Sequence, residues 1–257
     1  MLNDRRETGD PGMKHNLLHG SAMLVCIAVF LAQLGCGLAT PVTLSPEEII
    51  TLAIERTANL KGFAFLMVRD GSRAYLDPFE TIALSRIEGS FVAPDMVQAT
   101  VRVVTPGMVT EFQIISLGEE QWFTNLITGE WEVLPDDWGF YPASLFEPES
   151  GIVSVLREDL SNLQLQGMVR LEEIPGKDQY HITGDLSGEN LYYVSYGLIA
   201  SETMPVQLWI DPGTHDIHRI MLTELMPQED EPRIWTLDFW NFDQSIEIAS
   251  PDLQVGQ

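Results

Sequence analysis

Residues 97–103 set the pattern for most of the chain: Val97, Ala99, Val101 and Val103 alternate with Gln98, Thr100 and Arg102. Such alternation puts one face of a strand in a core and the other in water. Residues 109–116 repeat it, with Phe112 and Ile114 on one face and Glu111 and Gln113 on the other. The turn residues Thr105-Pro106-Gly107 join the two. Residues 63–68 (FAFLMV) are apolar on both faces, as a strand covered on both sides requires. The pattern predicts further strands at 81–91 and at 121–125 with 130–134, a hairpin over Ile127-Thr128-Gly129. A second hairpin is expected from 163–173 and 179–185 over Pro175-Gly176-Lys177, and three closing strands at 206–211, 217–224 and 233–242.

Helical spacing is rarer. Ser45-Pro46-Glu47-Glu48 combines a capping serine, proline at the first helical position and a glutamate three residues after the cap. Ile49, Ile50, Ala53, Ile54 and Thr57 then share one face, and the helix should end near Leu60-Lys61-Gly62. Residues 142–146 and 152–160 also read as helical, and residues 187–196 as a short helix opened by a serine cap. Roughly ten antiparallel strands with two or three helices, and neither internal repeat nor linker between them, predict one α+β domain over residues 45–257. A meander of that length must curl.

The first 36 residues follow another pattern. Arg5, Arg6, Lys14 and His15 precede an unbroken apolar run, residues 22–32, and then Gln33-Leu34-Gly35-Cys36. A basic segment, an apolar stretch and a small residue before a cut make an export signal. Met13-Lys14 with the same run is a complete signal too, so Met1 and Met13 are both candidate starts. Leu34-Gly35-Cys36 resembles a bacterial lipobox, in which the cysteine after the cut takes lipid; Gln33 departs from the leucine preferred there. The alternative is an uncleaved anchor: residues 22–39 are just long enough to span a bilayer at ~1.5 Å per residue. Either way the domain is held at the outer face of the cell membrane, with residues 37–44 as linker. Cys26 lies inside the apolar run, so no disulfide is expected in the mature chain.

Charge divides the chain at the same place. Of 38 acids and 14 bases, three of each lie before Cys36, leaving 35 against 11 and the whole net charge of -24 for the remainder. A body this acidic repels phosphate backbones, which argues against nucleic acid as a partner. Nor does the chain carry a recognisable catalytic signature: Gly-x-Ser-x-Gly, His-Glu-x-x-His, a P-loop and Gly-x-Gly-x-x-Gly are all absent from the sequence. His215 and His218 beside Asp211 and Asp216 have the composition of a metal site, but Asp211-Pro212-Gly213-Thr214-His215 reads as a hairpin turn, and no metal or other cofactor is expected. His181 reads as a surface or hydrogen-bonded strand histidine, and Glu229-Asp230-Glu231 as a solvated acidic loop rather than a weak calcium site. Trp122, Trp131, Trp138, Phe140 and Tyr141 form an aromatic stretch that suits a cavity mouth or a membrane-facing lid. Equally, a hairpin can pack such rings on its neighbours.

Three segments carry a family resemblance. Ser116-Leu117-Gly118 leading into Gln121-Trp122-Phe123-Thr124-Asn125 and Thr128-Gly129-Glu130-Trp131 is one. Val206-Gln207-Leu208-Trp209-Ile210-Asp211-Pro212, followed by His218-Arg219-Ile220, is the second, and residues 235–242 with the tail Ile248-Ala249-Ser250-Pro251 the third. Together they are similar to the hairpins and last strand of the LppX/LprA/LprF/LprG group of bacterial lipoproteins, across most of residues 62–251. The resemblance implies a strongly curved antiparallel sheet, a half-barrel like that of the LolA/LolB lipoprotein carriers, with helices over the concave face and an apolar cavity between. It further implies a binding protein and not an enzyme, which carries or presents acylated lipids or lipoglycans in the cell envelope, with an envelope transporter as a further partner. A ligand-free sensor or protein-interaction module on the same fold is the alternative. On the lipid reading, Cys36 is the lipidated residue. The candidate cavity-lining residues are Phe63, Phe65, Met67, Val101, Phe112, Ile114, Leu208 and Leu237.

Overall fold

The computed structural model describes residues 44–134, 141–172, 177–227 and 229–252. The leader with Cys36, the linker apart from Leu44, and Trp138, Phe140 and Pro175-Gly176 lie outside the described residues. Helix α1 spans Pro46–Ala58. Its start is the reciprocal cap expected: the Glu48 amide donates to Ser45 Oγ at 3.2 Å, and the Ser45 amide donates to Glu48 Oε2 at 2.8 Å. Ile49, Ile50, Ala53 and Ile54 are its buried face.

Among the described residues twelve strands follow: β1 (Gly62–Gly71), β2 (Ala74–Tyr75), β3 (Ala83–Val92), β4 (Met96–Thr105), β5 (Met108–Leu117), β6 (Glu120–Thr124), β7 (Trp131–Val133), β8 (Leu160–Arg170), β9 (Asp178–Ser187), β10 (Thr203–Ile210), β11 (Ile217–Glu224) and β12 (Arg233–Trp240). Of these only β2 was not expected; it is two residues long, too short for a period to show. A 3-10 turn at Pro142–Phe146 and helix α2 (Ile152–Glu158) sit between β7 and β8, and α3 (Gly188–Val194) between β9 and β10. Leu160 is not the end of a helix, as its spacing suggested, but the first residue of β8. Asp159 closes α2, and its backbone carbonyl accepts the Ser187 amide at 3.0 Å, so the chain is already entering the sheet.

All strands join one antiparallel sheet in the order β7-β6-β5-β4-β3-β1-β12-β11-β10-β9-β8, with β2 beside β3. The first strand therefore pairs with the last and joins two meanders, an N-terminal arm (β3–β7) and a C-terminal arm (β8–β12). The sheet does not close, and its edges are blunted. β7 has three residues, while β8 carries two register breaks and a mostly exposed polar face. On β3, Gly89 lies between Phe65 and Ala99. A Cβ there would stand 2.3 Å from the Gln98 carbonyl oxygen, so only glycine permits the close approach of β4.

The helices form a second layer. α1 touches α2, α2 touches α3 and the 3-10 turn, α1 and α2 touch β8, and the 3-10 turn reaches β4. Helical residues such as Ile49, Val153, Val155 and Leu191 share one core with inward strand residues such as Val101, Leu208 and Trp235. Among the described residues no helix is long and apolar enough to cross a membrane.

Candidate functional site: an apolar cavity in the curl of the sheet

The pairing registers align inward side chains into rungs that cross the strands. One rung runs Phe123, Ile114, Ala99, Gly89, Phe65, Phe239. The next runs Phe112, Val101, Ile87, Met67, Leu237, Ile220, Leu208, Ile182. Above the first part of both rungs lies a cavity of about 500 Å³, within the range of small-molecule pockets at roughly 300–1,000 Å³. Phe123 on β6 and Ile220 on β11 both border it, although they stand six strand spacings apart. On a flat sheet that separation would be about 29 Å at roughly 4.8 Å per strand, so the sheet must curl around the space.

Two segments roof the cavity: the 3-10 turn, through Pro142, Leu145 and Phe146, and the end of α3 with its following loop, through Leu191 and residues 194–199. They are joined by Tyr196. Its hydroxyl accepts the Tyr141 amide at 3.0 Å, contacts the Tyr141 carbonyl at 3.2 Å and lies 3.0 Å from Ser144 Oγ. Tyr196 and Gly197 both adopt left-handed backbone, φ 53° and 79°, which turns the chain sharply back over the sheet. Burial, together with the nearby acids Asp95, Glu147 and Glu119, holds the Tyr141 phenol above its ordinary pKa.

The wall offers little polar chemistry. Among the described residues no charged side chain lines the cavity. Ser195 Oγ accepts the Ile199 amide at 3.1 Å and donates to the Tyr192 carbonyl. The Trp235 indole N–H donates to buried Glu224 at 3.2 Å, and Trp235 also borders the cavity. Glu224 also accepts the amides of Ala200 and Ser201 and the Arg233 guanidinium at 3.1 Å, which pins the end of the roof loop to β11 and β12. A second, smaller cavity of about 160 Å³ lies beside the C-terminal end of α1 and the inner face of α2, bordered by Ala58, Leu60, Phe63, Val153 and Leu156 among others.

The eight candidates divide accordingly. Phe65, Met67, Val101, Phe112, Ile114 and Leu237 border the larger cavity, and Phe63 borders the smaller one. Leu208 borders neither. It faces inward on the same rung as Met67 but is fully buried in the continuous core, because on β9 and β10 the inward positions are filled to contact. Helical spacing over residues 142–146 and 187–196 points to the roof segments, but no local pattern in the sequence places them over the cavity.

The aromatic stretch splits by strand parity. Phe123 pairs with Ile114 and faces the cavity, whereas Trp122 pairs with Ile115 on the opposite face. Tyr141 begins the roof. The histidine cluster is a turn: Asp211 accepts the amides of Gly213 at 2.7 Å and Thr214 at 2.9 Å and pairs with Lys177 at 3.1 Å, while Asp216 pairs with Arg56 at 2.7 Å. Burial alone would raise the Asp211 pKa; the two amides and the lysine outweigh it and hold the carboxyl below its usual range. Among the described residues no three His, Cys, Asp or Glu side chains gather to hold a metal. His181 stacks on Trp209 at 4.6 Å and meets Gln207 Oε1 at 2.9 Å, and Glu229 of the acidic loop pairs with Arg233 at 3.0 Å.

This geometry has solved counterparts. LprF from Mycobacterium bovis superposes with a TM-score of 0.61 at 14% identity, over 80% of this chain and 98% of that one. Lipoprotein LppX from Mycobacterium tuberculosis does so with a TM-score of 0.53 at 15% identity, over 78% and 96%. Such low identities speak for the fold alone. Among curated proteins none matches the sequence. The sequence pattern of the LppX_LprAFG lipoprotein family, in contrast, matches residues 45–248, and the chain belongs to that family.

Proposed function

We propose that this protein binds the acyl chains of a lipid or lipoglycan in the larger cavity and carries or presents that lipid in the cell envelope, without catalysing a reaction on it. The observation that carries the reading is a cavity of about 500 Å³ with no charged side chain among the described residues of its wall. Each buried methylene contributes about 0.8 kcal/mol, so twelve of them supply roughly 10 kcal/mol before the costs of ordering are met. Apolar space of this kind needs no polar partner to bind tightly. Phe65, Met67, Val101, Phe112, Ile114 and Leu237 supply wall from the strands, and Met67 suits a flexible chain because its thioether repacks readily.

The same reading makes residues 45–257 one lipid-binding domain, residues 37–44 a linker and residues 1–36 an export leader. Cys36 is then the lipid anchor on the extracytoplasmic face, with an envelope transporter as partner. Native mass spectrometry and solvent extraction of the purified protein test the central claim: co-purifying acylated lipid is expected. Protein that remains empty after exposure to membrane lipid would overturn it and favour a ligand-free interaction module. Phe65→Asp places a carboxylate in the wall; lipid loading should fall at least tenfold, and unchanged loading in a normally folded variant refutes the assignment. Cys36→Ser should release the protein from membranes; continued retention would point to an uncleaved anchor.

A further inference from the structure

Phe146, Ile152, Ile220 and Phe239 border both cavities. Ile220 and Phe239 are locked into the ladders of β11 and β12, and Ile152 opens α2. Phe146 differs. It ends a five-residue 3-10 turn that has no side-chain cap and is followed by extended backbone at Glu147. Its ring lies 5.3 Å from that of Phe65, which borders the larger cavity, 5.1 Å from Phe63 and 4.9 Å from Phe91, which border the smaller one. One side chain on a short, uncapped element therefore stands between about 500 and about 160 Å³ of apolar space.

The smaller space is built like the larger. Thr57, which borders it, spends its hydroxyl on the Ala53 carbonyl at 2.8 Å, and the rest of the wall is mainly aliphatic and phenylalanine carbon. An apolar void of this kind does not hold water well, whereas a methylene chain fills it favourably. We propose that the smaller cavity is a second acyl compartment and that Phe146 is the specificity-determining residue that sets how long a chain the protein accepts. The proposal rests on the larger cavity being an acyl-chain site.

Chain length is the readout. Saturated fatty acids of increasing length are competed against a fluorescent fatty acid on the purified full chain. In the parent protein affinity should rise about fourfold per added methylene, the equivalent of ~0.8 kcal/mol, and then level off at a limiting length. Phe146→Ala joins the two spaces, so the rise should continue for roughly two or more further carbons. Ala58→Leu fills the smaller cavity from α1; combined with Phe146→Ala it should restore the parental limit. Phe146→Leu keeps most of the apolar volume and carries the test if the alanine variant melts early; a smaller extension is expected of it. A limiting length unchanged in both Phe146 variants, with fatty acids still bound, overturns the proposal and leaves the lipid-binding reading standing. Failure of the parent protein to bind any fatty acid sinks both.

Discussion

Met67 and Leu208 occupy the same rung of the sheet, both face inward, and both stand in strands of similar apolar character. Met67 borders an open space of about 500 Å³; Leu208 is fully buried in close-packed core. The layer on top makes the difference. Over β8 the sheet meets α1 and α2, whose side chains interdigitate with the inward residues, and the packing continues through β9 and β10. Over the strands from β6 to β11 that wall the cavity, the cover is a five-residue 3-10 turn, the first residue of α2, and the end of α3 with its following loop. Such thin cover cannot fill the hollow of a curled sheet. Gly89 and Ala99, small residues in the middle of a rung, deepen the hollow further.

Breaking the anchor of the roof loop should have the largest effect. Glu224→Ala strands the buried Arg233 guanidinium and the amides of Ala200 and Ser201, at a cost of about 3–5 kcal/mol in denaturant titrations. The roof of the cavity should loosen with it. Next comes the rung itself. Leu208→Ala opens a void in packed core and should cost about 2–5 kcal/mol, whereas Met67→Ala, beside space that is already empty, should cost roughly 1 kcal/mol. Lipid loading should respond in the reverse order. Equal losses of stability at the two positions would remove the distinction between filled and open halves.

Tyr196→Phe removes one hydroxyl from the roof. It should cost about 1 kcal/mol and speed release of a bound fluorescent fatty acid several-fold, with little change in far-UV signal; an unchanged off-rate means the two roof segments do not part during exchange. The smallest effect concerns acid. The Asp211 carboxyl is held below its ordinary value of about 3.9. A depressed carboxylate stabilises the fold fully above the unfolded pKa and loses that contribution as pH falls through the folded one. Stability should therefore decline below about pH 4, and Asp211→Asn should flatten that limb while costing stability at neutral pH. Because Asp211 anchors the turn between β10 and β11 and does not border the cavity, lipid release at neutral pH should not change.

Much of this architecture is legible before folding is considered. The capping box of α1 has a sequence signature because its two hydrogen bonds are local. β4 reads directly because each inward valine or alanine is separated from the next by a residue that faces solvent or the rim. The alternation of Phe112 and Ile114 with Glu111 and Gln113 places two of the wall residues on their face for the same reason. β2 is not legible, being held by two pairings to β3, nor are Phe146 and Tyr196, whose positions depend on partners far along the chain.

What the amino-acid order determined by itself is which side chains turn inward, since strand parity and helix caps are properties of neighbouring residues. Whether an inward side chain meets another side chain or an open space was decided only by tertiary structure. That outcome depends on the register of eleven strands along the sheet and on how much of the helical layer lies above each rung. Leu208 and Met67 both face inward from the same rung and have opposite surroundings. The cavity belongs to the mismatch between a long curled sheet and a short cover.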